Sequence, residues 1–96
     1  MAVDYDPVEG KVYWTDLGLK LVARAFPNGS SVEVIAHINV HTPAGLAVDY
    51  AARNIYWTDE ATSRIDVAKL DGASRRGLIT SNIEMPGAIL LDIGER

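Results

Sequence analysis

The sequence has 96 residues, a formal net charge of −4 and 48% hydrophobic residues, which fits one small folded unit with a limited core. Acidic and basic residues are mixed along it, so it lacks the basic stripe of a nucleic-acid-binding protein and we expect no nucleic-acid partner. It contains no cysteine, which excludes disulfides and thiolate metal sites. We recognise no signal peptide and no run of roughly 20 apolar residues, so we expect no membrane contact by this segment.

Short strands separated by turn residues make up the first half of the chain. β-Branched and aromatic residues alternate in these runs, and no helical periodicity appears. Asn28-Gly29 is the dipeptide most typical of a tight hairpin turn. The pattern predicts one antiparallel four-stranded sheet with strands at residues 2–5, 11–16, 20–26 and 32–37.

The same pattern returns 43 residues later, because Tyr13-Trp14-Thr15-Asp16 recurs unchanged as Tyr56-Trp57-Thr58-Asp59. A period of about 20–50 residues is typical of repeat proteins, in which one unit cannot bury its apolar face alone. The second set of strands is predicted at residues 46–50, 55–59, 64–70 and 75–80. Ala2-Val3-Asp4 and Ala47-Val48-Asp49 match at an interval of 45, so we expect the first turn to be two residues longer in the first copy.

A third copy begins near the C-terminus, where residues 86–92 parallel residues 43–49. We divide the chain into a first repeat at 1–41, a second at 42–85 and the first strand of a third at 86–96. Residues 2–4 and 90–92 compete for equivalent positions, and the sequence does not decide between them. The two ends are complementary, so we expect the tail to lead into the N-terminal strand of a neighbouring copy.

The second copy carries a more extended motif. Tyr-Trp-Thr-Asp is preceded there by Gly-Leu-Ala-Val-Asp at 45–49 and followed by Arg64-Ile65 and Leu70-Asp71-Gly72. This arrangement resembles the YWTD repeat, the class B repeat of low-density lipoprotein receptor relatives. In that family each repeat is one blade of a six-bladed β-propeller, and the domain is an extracellular or cell-surface module that binds ligands. The resemblance implies an all-β chain with two four-stranded antiparallel blades.

Two blades leave two broad apolar flanks, and a neighbouring unit normally covers such flanks in repeat proteins. Three copies with two repeats each supply the six blades that the resemblance implies. We therefore predict a head-to-tail homotrimer that closes into a ring.

The repeated motif residues are interpreted as structural. Asp16 and Asp59 end strands, so we expect them to accept hydrogen bonds from backbone N–H groups rather than to catalyse a reaction. Trp14 and Trp57 are expected to pack in the core or between blades. The motif residues are Tyr13, Trp14, Thr15 and Asp16, and Tyr56, Trp57, Thr58 and Asp59.

A metal site is the less favoured interpretation of Asp4, Asp49 and Asp92. The resemblance places the ends of first strands near the central channel, where carboxylates attract cations. We favour hydrogen bonding within each blade, and predict neither a metal nor another cofactor. Histidines suggest a pH-dependent release of ligand, which relatives can show. No fixed residue of the repeat matches His37 or His41, so we favour a solvated loop role.

The resemblance places a ligand face on the loops that join second to third and fourth to first strands. These loops cover residues 17–19, 38–42, 60–63 and 81–85. Candidate residues on or beside them are Leu17, Lys20, His41, Glu60, Arg64 and Glu84. Asn28-Gly29-Ser30 is an N-glycosylation sequon at a hairpin tip, although the turn by itself also favours Asn-Gly.

Three functions are compatible with these patterns. The leading one is an extracellular receptor-type module whose protein ligand is unknown. Pro-x-Gly-Leu-Ala-Val-Asp also resembles strands of lactonase-like metal-dependent propeller hydrolases. No nucleophile, His–carboxylate pair or phosphate loop appears, so we predict that the chain is not an enzyme. The third is an excised or engineered structural fragment without activity of its own.

Overall fold

The computed structural model describes residues 1–78, so the predictions for Glu84, for the 81–85 loop and for the third-repeat strand lie outside the described residues. The strands are β1 (Val3–Asp6), β2 (Lys11–Asp16), β3 (Leu21–Ala25), β4 (Glu33–Ala36), β5 (Pro43–Asp49), β6 (Asn54–Asp59), β7 (Arg64–Lys69) and β8 (Arg76–Gly77). They form a first sheet, β1-β2-β3-β4, and a second sheet, β5-β6-β7-β8. All neighbouring strands are antiparallel, which confirms the predicted all-β fold with two four-stranded sheets. In this range there is no helix long and apolar enough to cross a membrane.

The strand register shows that the two repeats keep a constant interval of 43 residues. Asp6 of β1 lies opposite Lys11 of β2, and Asp49 of β5 lies opposite Asn54 of β6. The prediction of a longer first turn is therefore wrong, and the equivalent of Asp49 is Asp6 rather than Asp4. The three-residue match that led to the wrong alignment is a coincidence of side chains, whereas hydrogen-bond register fixes which residues occupy equivalent positions.

Proline shapes the ends of two strands. β3 ends at Ala25, one position earlier than the equivalent end of β7, and Pro27 follows shortly after it. β5 begins at Pro43, three residues before its predicted start, and its register shifts between Pro43 and Leu46. A strand tolerates proline at its first residue or at a bulge because the missing N–H is not needed there.

The main core lies between the two sheets. Each sheet has a Tyr face, which carries Tyr13 or Tyr56, and a Trp face, which carries Trp14 or Trp57. The first sheet turns its Tyr face toward the Trp face of the second, so Tyr13 and Trp57 are buried while Trp14 and Tyr56 are only half-buried. The cluster of buried apolar residues contains Tyr13, Val22, Ile35, Ala36, Val40, Val48, Ile55, Trp57, Ala68 and Leu70.

The Trp face of the first sheet has no cover from within the described residues. Val3, Tyr5 and Val34 lie on this face and are exposed, and Val12 and Trp14 are half-buried. The corresponding face of the second sheet is the one that the first sheet covers. The two repeats therefore have the same strand plan but different surroundings.

Two equivalent hairpin glycines allow the packing between the sheets to be tested. Gly29 and Gly72 have φ of +86° and +93°, and a Cβ on Gly72 would lie 2.6 Å from the carbonyl oxygen of Ile35, whereas one on Gly29 meets nothing within 4 Å. Left-handed backbone costs alanine about 1–2 kcal/mol at either position. We expect Gly72→Ala to lower the free energy of unfolding by a further 1–3 kcal/mol or so, measured by urea denaturation. Equal losses in the two variants would contradict the contact.

Candidate functional site

The motif threonines fix the first strand of each sheet. Thr15 Oγ1 accepts a hydrogen bond from Ala2 N at 3.0 Å, and Thr58 Oγ1 accepts one from Gly45 N at 2.7 Å. Thr15 also donates across the sheet interface to the carbonyl oxygen of Ala44 at 3.3 Å. In both repeats the threonine hydroxyl group therefore holds the neighbouring first strand. In the first repeat it also binds the second sheet.

An ion pair between the buried Asp6 and the partly exposed Arg53 links the two sheets at the end that carries the β1–β2 and β5–β6 turns. Arg53 Nη1 and Nη2 donate to Asp6 Oδ1 and Oδ2 at 2.9 and 2.8 Å, and Nη2 also reaches Glu9 Oε1 at 2.9 Å. Asp6 is fully buried. Burial acts to raise the pKa of Asp6, but hydrogen bonds from Arg53 and Val8 N hold this pKa below its ordinary value. Sequence reasoning missed this pair.

A second group of charged side chains lies in the same interface between the sheets. Arg24 donates to the hydroxyl oxygen of Tyr13 at 3.1 Å and to Glu33 at 3.0 Å, and Lys11 donates to Glu33 at 3.2 Å. Burial raises the pKa of Tyr13, although its hydrogen bond with Arg24 acts in the opposite direction. The buried hydroxyl and guanidinium are therefore both satisfied, as buried polar groups must be.

The opposite end of the sheets carries a loop face, which we define as residues 17–20, 37–42 and 60–63. Antiparallel pairing places the β2–β3, β4–β5 and β6–β7 loops at this same end. Asp59 connects two of them, because its carboxylate accepts hydrogen bonds from His41 N at 2.8 Å, Thr42 N at 3.1 Å and Ala61 N at 3.1 Å. These hydrogen bonds therefore attach the β4–β5 and β6–β7 loops to the end of β6.

Asp16 has a simpler role in the first repeat. Its Oδ1 accepts a hydrogen bond from Leu19 N at 2.9 Å, within its own loop. Both motif aspartates thus accept hydrogen bonds from backbone N–H groups. Their interpretation as structural rather than catalytic residues stays a prediction.

The candidate ligand residues lie on or beside the loop face. Leu17, Lys20, His41, Glu60 and Arg64 are all exposed. Leu17, Leu19 and Lys20 share the β2–β3 loop, whereas Glu60 begins the β6–β7 loop and Arg64 is the first residue of β7. The sequence analysis did not select Leu19 or Ile38, although large aliphatic residues inside loops beside Gly18 and Asn39 were a usable signal.

A cleft of about 310 Å³ opens between the β4–β5 loop and β8, lined by Ile38, Asn39, Arg64, Arg75, Arg76 and Gly77. Asp66 lies beneath it and is buried; Arg64 donates to its Oδ1 at 2.9 Å and Arg75 to its Oδ2 at 2.8 Å. Arg75 also donates to the carbonyl oxygen of Ile38 and lies over the Trp57 ring at 5.2 Å. Arg64 therefore lies beside the β4–β5 loop and forms an ion pair with Asp66.

The carboxylates considered for a metal have backbone partners. Asp4 Oδ2 accepts a hydrogen bond from Val48 N at 2.7 Å, so it links the sheets, and Asp49 Oδ1 accepts one from Ala52 N at 3.2 Å. Within residues 1–78 no group of three or more His, Cys, Asp or Glu is placed to hold a metal ion.

Two four-stranded sheets, related by a 43-residue repeat and packed face to face, match two neighbouring blades of a β-propeller repeat protein. The sequence model of the low-density lipoprotein receptor repeat class B matches residues 10–50 and 53–93. The chain belongs to this family and is part of a YWTD-type β-propeller, which confirms the resemblance. The first match runs from just before β2 to just after β5, so the sequence repeat is displaced by one strand from the sheet. The boundaries after residues 41 and 85 stay predictions.

The chain is similar to parts of larger proteins. The low-density lipoprotein receptor-related protein 5 of Mus musculus and that of Homo sapiens are each 45% identical to it over 55 residues, covering 57% of this chain and 3% of the relative. A chain in the crystal structure of a nidogen/laminin complex matches with a TM-score of 0.80 and 36% identity, covering 85% of this chain and 31% of that one. The chain therefore spans a small part of each relative.

The hydrogen bonds to Asp59 lead to a pH-dependent prediction. Burial acts to raise the pKa of Asp59, but the N–H groups of His41, Thr42 and Ala61 hold it below the ordinary value of 3.8. A carboxyl whose pKa is lowered on folding stabilises the protein above that ordinary value, and the stabilisation is lost as the pH falls through the folded pKa. We expect Asp59→Asn to lower the free energy of unfolding by about 1–3 kcal/mol at pH values near 7, and by less in acid.

Asp16→Asn is the matched control, since Asp16 accepts one hydrogen bond from the backbone within an exposed loop. Its loss should be about 1 kcal/mol or below. Urea denaturation at neutral and acidic pH measures both variants. An acid dependence in Asp59→Asn as steep as in the wild type would contradict a contribution from this carboxylate.

Proposed function

We propose that the chain is part of an extracellular, receptor-type propeller module that binds a protein ligand on the loop face. The observation that carries the proposal is a group of solvent-exposed aliphatic side chains on its loops: Leu17 is 57%, Leu19 71% and Ile38 65% exposed. Several large apolar side chains exposed at one end of a domain are a feature of protein-binding surfaces. The receptor-related relatives and the laminin complex of nidogen support the same conclusion.

The charges around these side chains favour a protein ligand over a purely apolar one. Lys20 and Arg64 are positive, Glu60 is negative, and all three are exposed on or beside the loop face. An apolar centre with a mixed polar rim is the usual anatomy of a protein–protein interface. Energetically, we expect the aliphatic groups to contribute most of the affinity and the charges to contribute orientation and specificity.

Peptide selection tests the location of binding without a known ligand. A phage-displayed peptide library is selected on the immobilised wild-type chain, and the enriched peptides are then measured on Leu19→Ser and Ile38→Ser. Val8→Ser is the matched control, because Val8 is 66% exposed but lies in the β1–β2 turn at the other end. Binding that is lost in the first two variants and kept in the third supports the proposal. The proposal would be overturned if the enriched peptides bind Leu19→Ser and Ile38→Ser as well as the wild type, or if no peptide is enriched.

We further propose that another blade of the same kind covers the Trp face of the first sheet, and that three copies of the 96-residue chain close head to tail into a ring. Val3, Tyr5 and Val34 are exposed on this face, whereas the first sheet buries the equivalent face of the second. In a longer chain a neighbouring repeat supplies the same cover.

Solution mass distinguishes these assemblies. Light scattering after gel filtration, over a range of concentrations, should show a species of three chains. We expect Val34→Lys to dissociate it, because a charge then replaces an apolar contact on the Trp face. A wild-type chain that stays monomeric at every concentration would exclude the ring and leave the peptide-binding proposal standing.

A further inference from the structure

We propose that Asn28 is an N-glycosylation site, and that its glycan projects from the end of the first sheet opposite to the loop face. Asn28-Gly29-Ser30 is the single Asn-X-Ser/Thr triplet in the sequence. The inference rests on the proposed function in one respect, because N-glycosylation requires passage through the secretory pathway. The site itself is argued from the hairpin that carries it.

The hairpin between β3 and β4 presents the asparagine to solvent. Asn28, Gly29 and Ser30 are all exposed. The side-chain oxygen of Asn28 accepts hydrogen bonds from Ser30 N at 3.0 Å and Ser30 Oγ at 2.7 Å. The amide nitrogen Nδ2, which would carry the sugar, makes no hydrogen bond with any residue in 1–78. The glycan can therefore be attached without breaking a contact of the described fold.

The backbone holds the turn without help from that amide nitrogen. Phe26 N donates to Ser30 O at 3.0 Å, and Gly29 N donates to Phe26 O at 2.8 Å. Gly29 supplies the left-handed φ of +86° that the turn requires. Asn28 is thus positioned by a formed hairpin, and its modification leaves the hairpin hydrogen bonds intact.

The second repeat shows that a packed neighbouring sheet does not cover this position. Asp71 and Gly72 are the equivalents of Asn28 and Gly29. Gly72 is in close contact with the backbone of Ile35 in the first sheet, yet Asp71 is exposed. By the same geometry, a blade that covers the Trp face of the first sheet would touch Gly29 and leave Asn28 in solvent. The glycan is therefore compatible with a closed propeller.

Topology separates the glycan from the loop face. The β3–β4 hairpin lies at one end of β3, which spans Leu21–Ala25, and the β2–β3 loop lies at the other. Five residues of strand separate the two ends by roughly 17 Å. A sugar chain on Asn28 therefore shields the end with the β1–β2 and β5–β6 turns and leaves Leu17 and Leu19 accessible.

Intact-mass measurement tests the site directly. The chain is secreted from mammalian cells behind an added cleavable signal and treated with peptide N-glycosidase F. We expect the wild-type mass to fall on treatment, the shift to be absent in Asn28→Gln and Ser30→Ala, and the shift to be retained in Ser30→Thr. Enzyme treatment in ¹⁸O-water separates glycan removal from spontaneous deamidation of Asn-Gly. A secreted wild-type chain without glycan, or a shift that persists in Asn28→Gln, would overturn the proposal.

A relocated sequon tests the placement. Ala61→Asn in the Asn28→Gln background creates the sequon Asn-Thr62-Ser63 at position 61, which is exposed on the loop face. The selected peptides should bind the wild type equally before and after enzymatic glycan removal, whereas the relocated glycan should block them until it is removed. Reduced binding with the natural glycan would contradict its placement. A glycosylated chain that enriches no peptide would leave the site standing and exclude only the ligand-binding proposal.

Discussion

Replacement of Trp57 by alanine should lower the free energy of unfolding by about 3–5 kcal/mol. The side chain is 1% exposed and belongs to the core between the sheets, so its loss opens a cavity that both sheets line. Arg75 also loses the ring over which its guanidinium lies at 5.2 Å. A small domain has a total stability of about 5–15 kcal/mol, so the loss is a substantial share of the total.

Trp14→Ala is the matched control, because Trp14 occupies the same position in the first repeat but is half-buried on the uncovered Trp face. We expect it to cost about half as much. Far-ultraviolet circular dichroism during urea denaturation measures both variants without relying on tryptophan fluorescence. Both are made in the Val34→Lys background, in which no other copy covers the Trp face. A Trp14→Ala variant as unstable as Trp57→Ala would contradict the assignment of the covered faces.

Arg53→Ala should lower the free energy of unfolding by about 1–3 kcal/mol at neutral pH, because it removes the cation beside the buried Asp6 carboxylate, although Arg53 itself is partly exposed to solvent. Asp6 is fully buried and receives both Nη atoms of Arg53. Glu9→Gln removes the other carboxylate that Arg53 contacts, at 2.9 Å. Since Glu9 is exposed, we expect that control to cost about 1 kcal/mol or less.

The pH dependence of Arg53→Ala separates the ion pair from general damage. In the wild type the pKa of Asp6 is held below 3.8, so its charge stabilises the fold above this value and the benefit disappears as the pH falls through the folded pKa. Without Arg53, the largest cause that lowers the pKa of Asp6 is lost and the opposing effect of burial remains, so protonation of the carboxylate costs the variant less than the wild type. The difference in unfolding free energy between wild type and variant should therefore shrink in acid. A difference that is the same at neutral and acidic pH would contradict this explanation.

Local chemistry explains why the strands were predictable. Alternating β-branched and aromatic residues around Asn28-Gly29 and Asp71-Gly72 specify strands and hairpins over a few residues, and the repeat doubles each signal. The predicted positions of β2 and β6 agree closely with the observed ones. The start of β5 was less predictable, because a bulge near Pro43 extends pairing beyond the alternating pattern.

The wrong alignment of Asp4 has a physical cause. A match of three side chains does not contain the hydrogen-bond register, and Asp6 rather than Asp4 lies at the position of Asp49. The pair of Asp6 with Arg53 was missed for a related reason, because its partners are 47 residues apart and meet only when the sheets pack. Local patterns in a single sequence do not indicate which residues so far apart along the chain come into contact.

The sequence by itself determined the repeat, the eight strands and the family, since these depend on short-range patterns and a fixed interval. Tertiary structure alone decided which face of each sheet is buried. Trp14 and Trp57 have identical local sequence, yet only Trp57 is covered, because the second sheet has the first as a neighbour on that side. Burial depends on what packs against a face, and two identical motifs cannot encode two different neighbours.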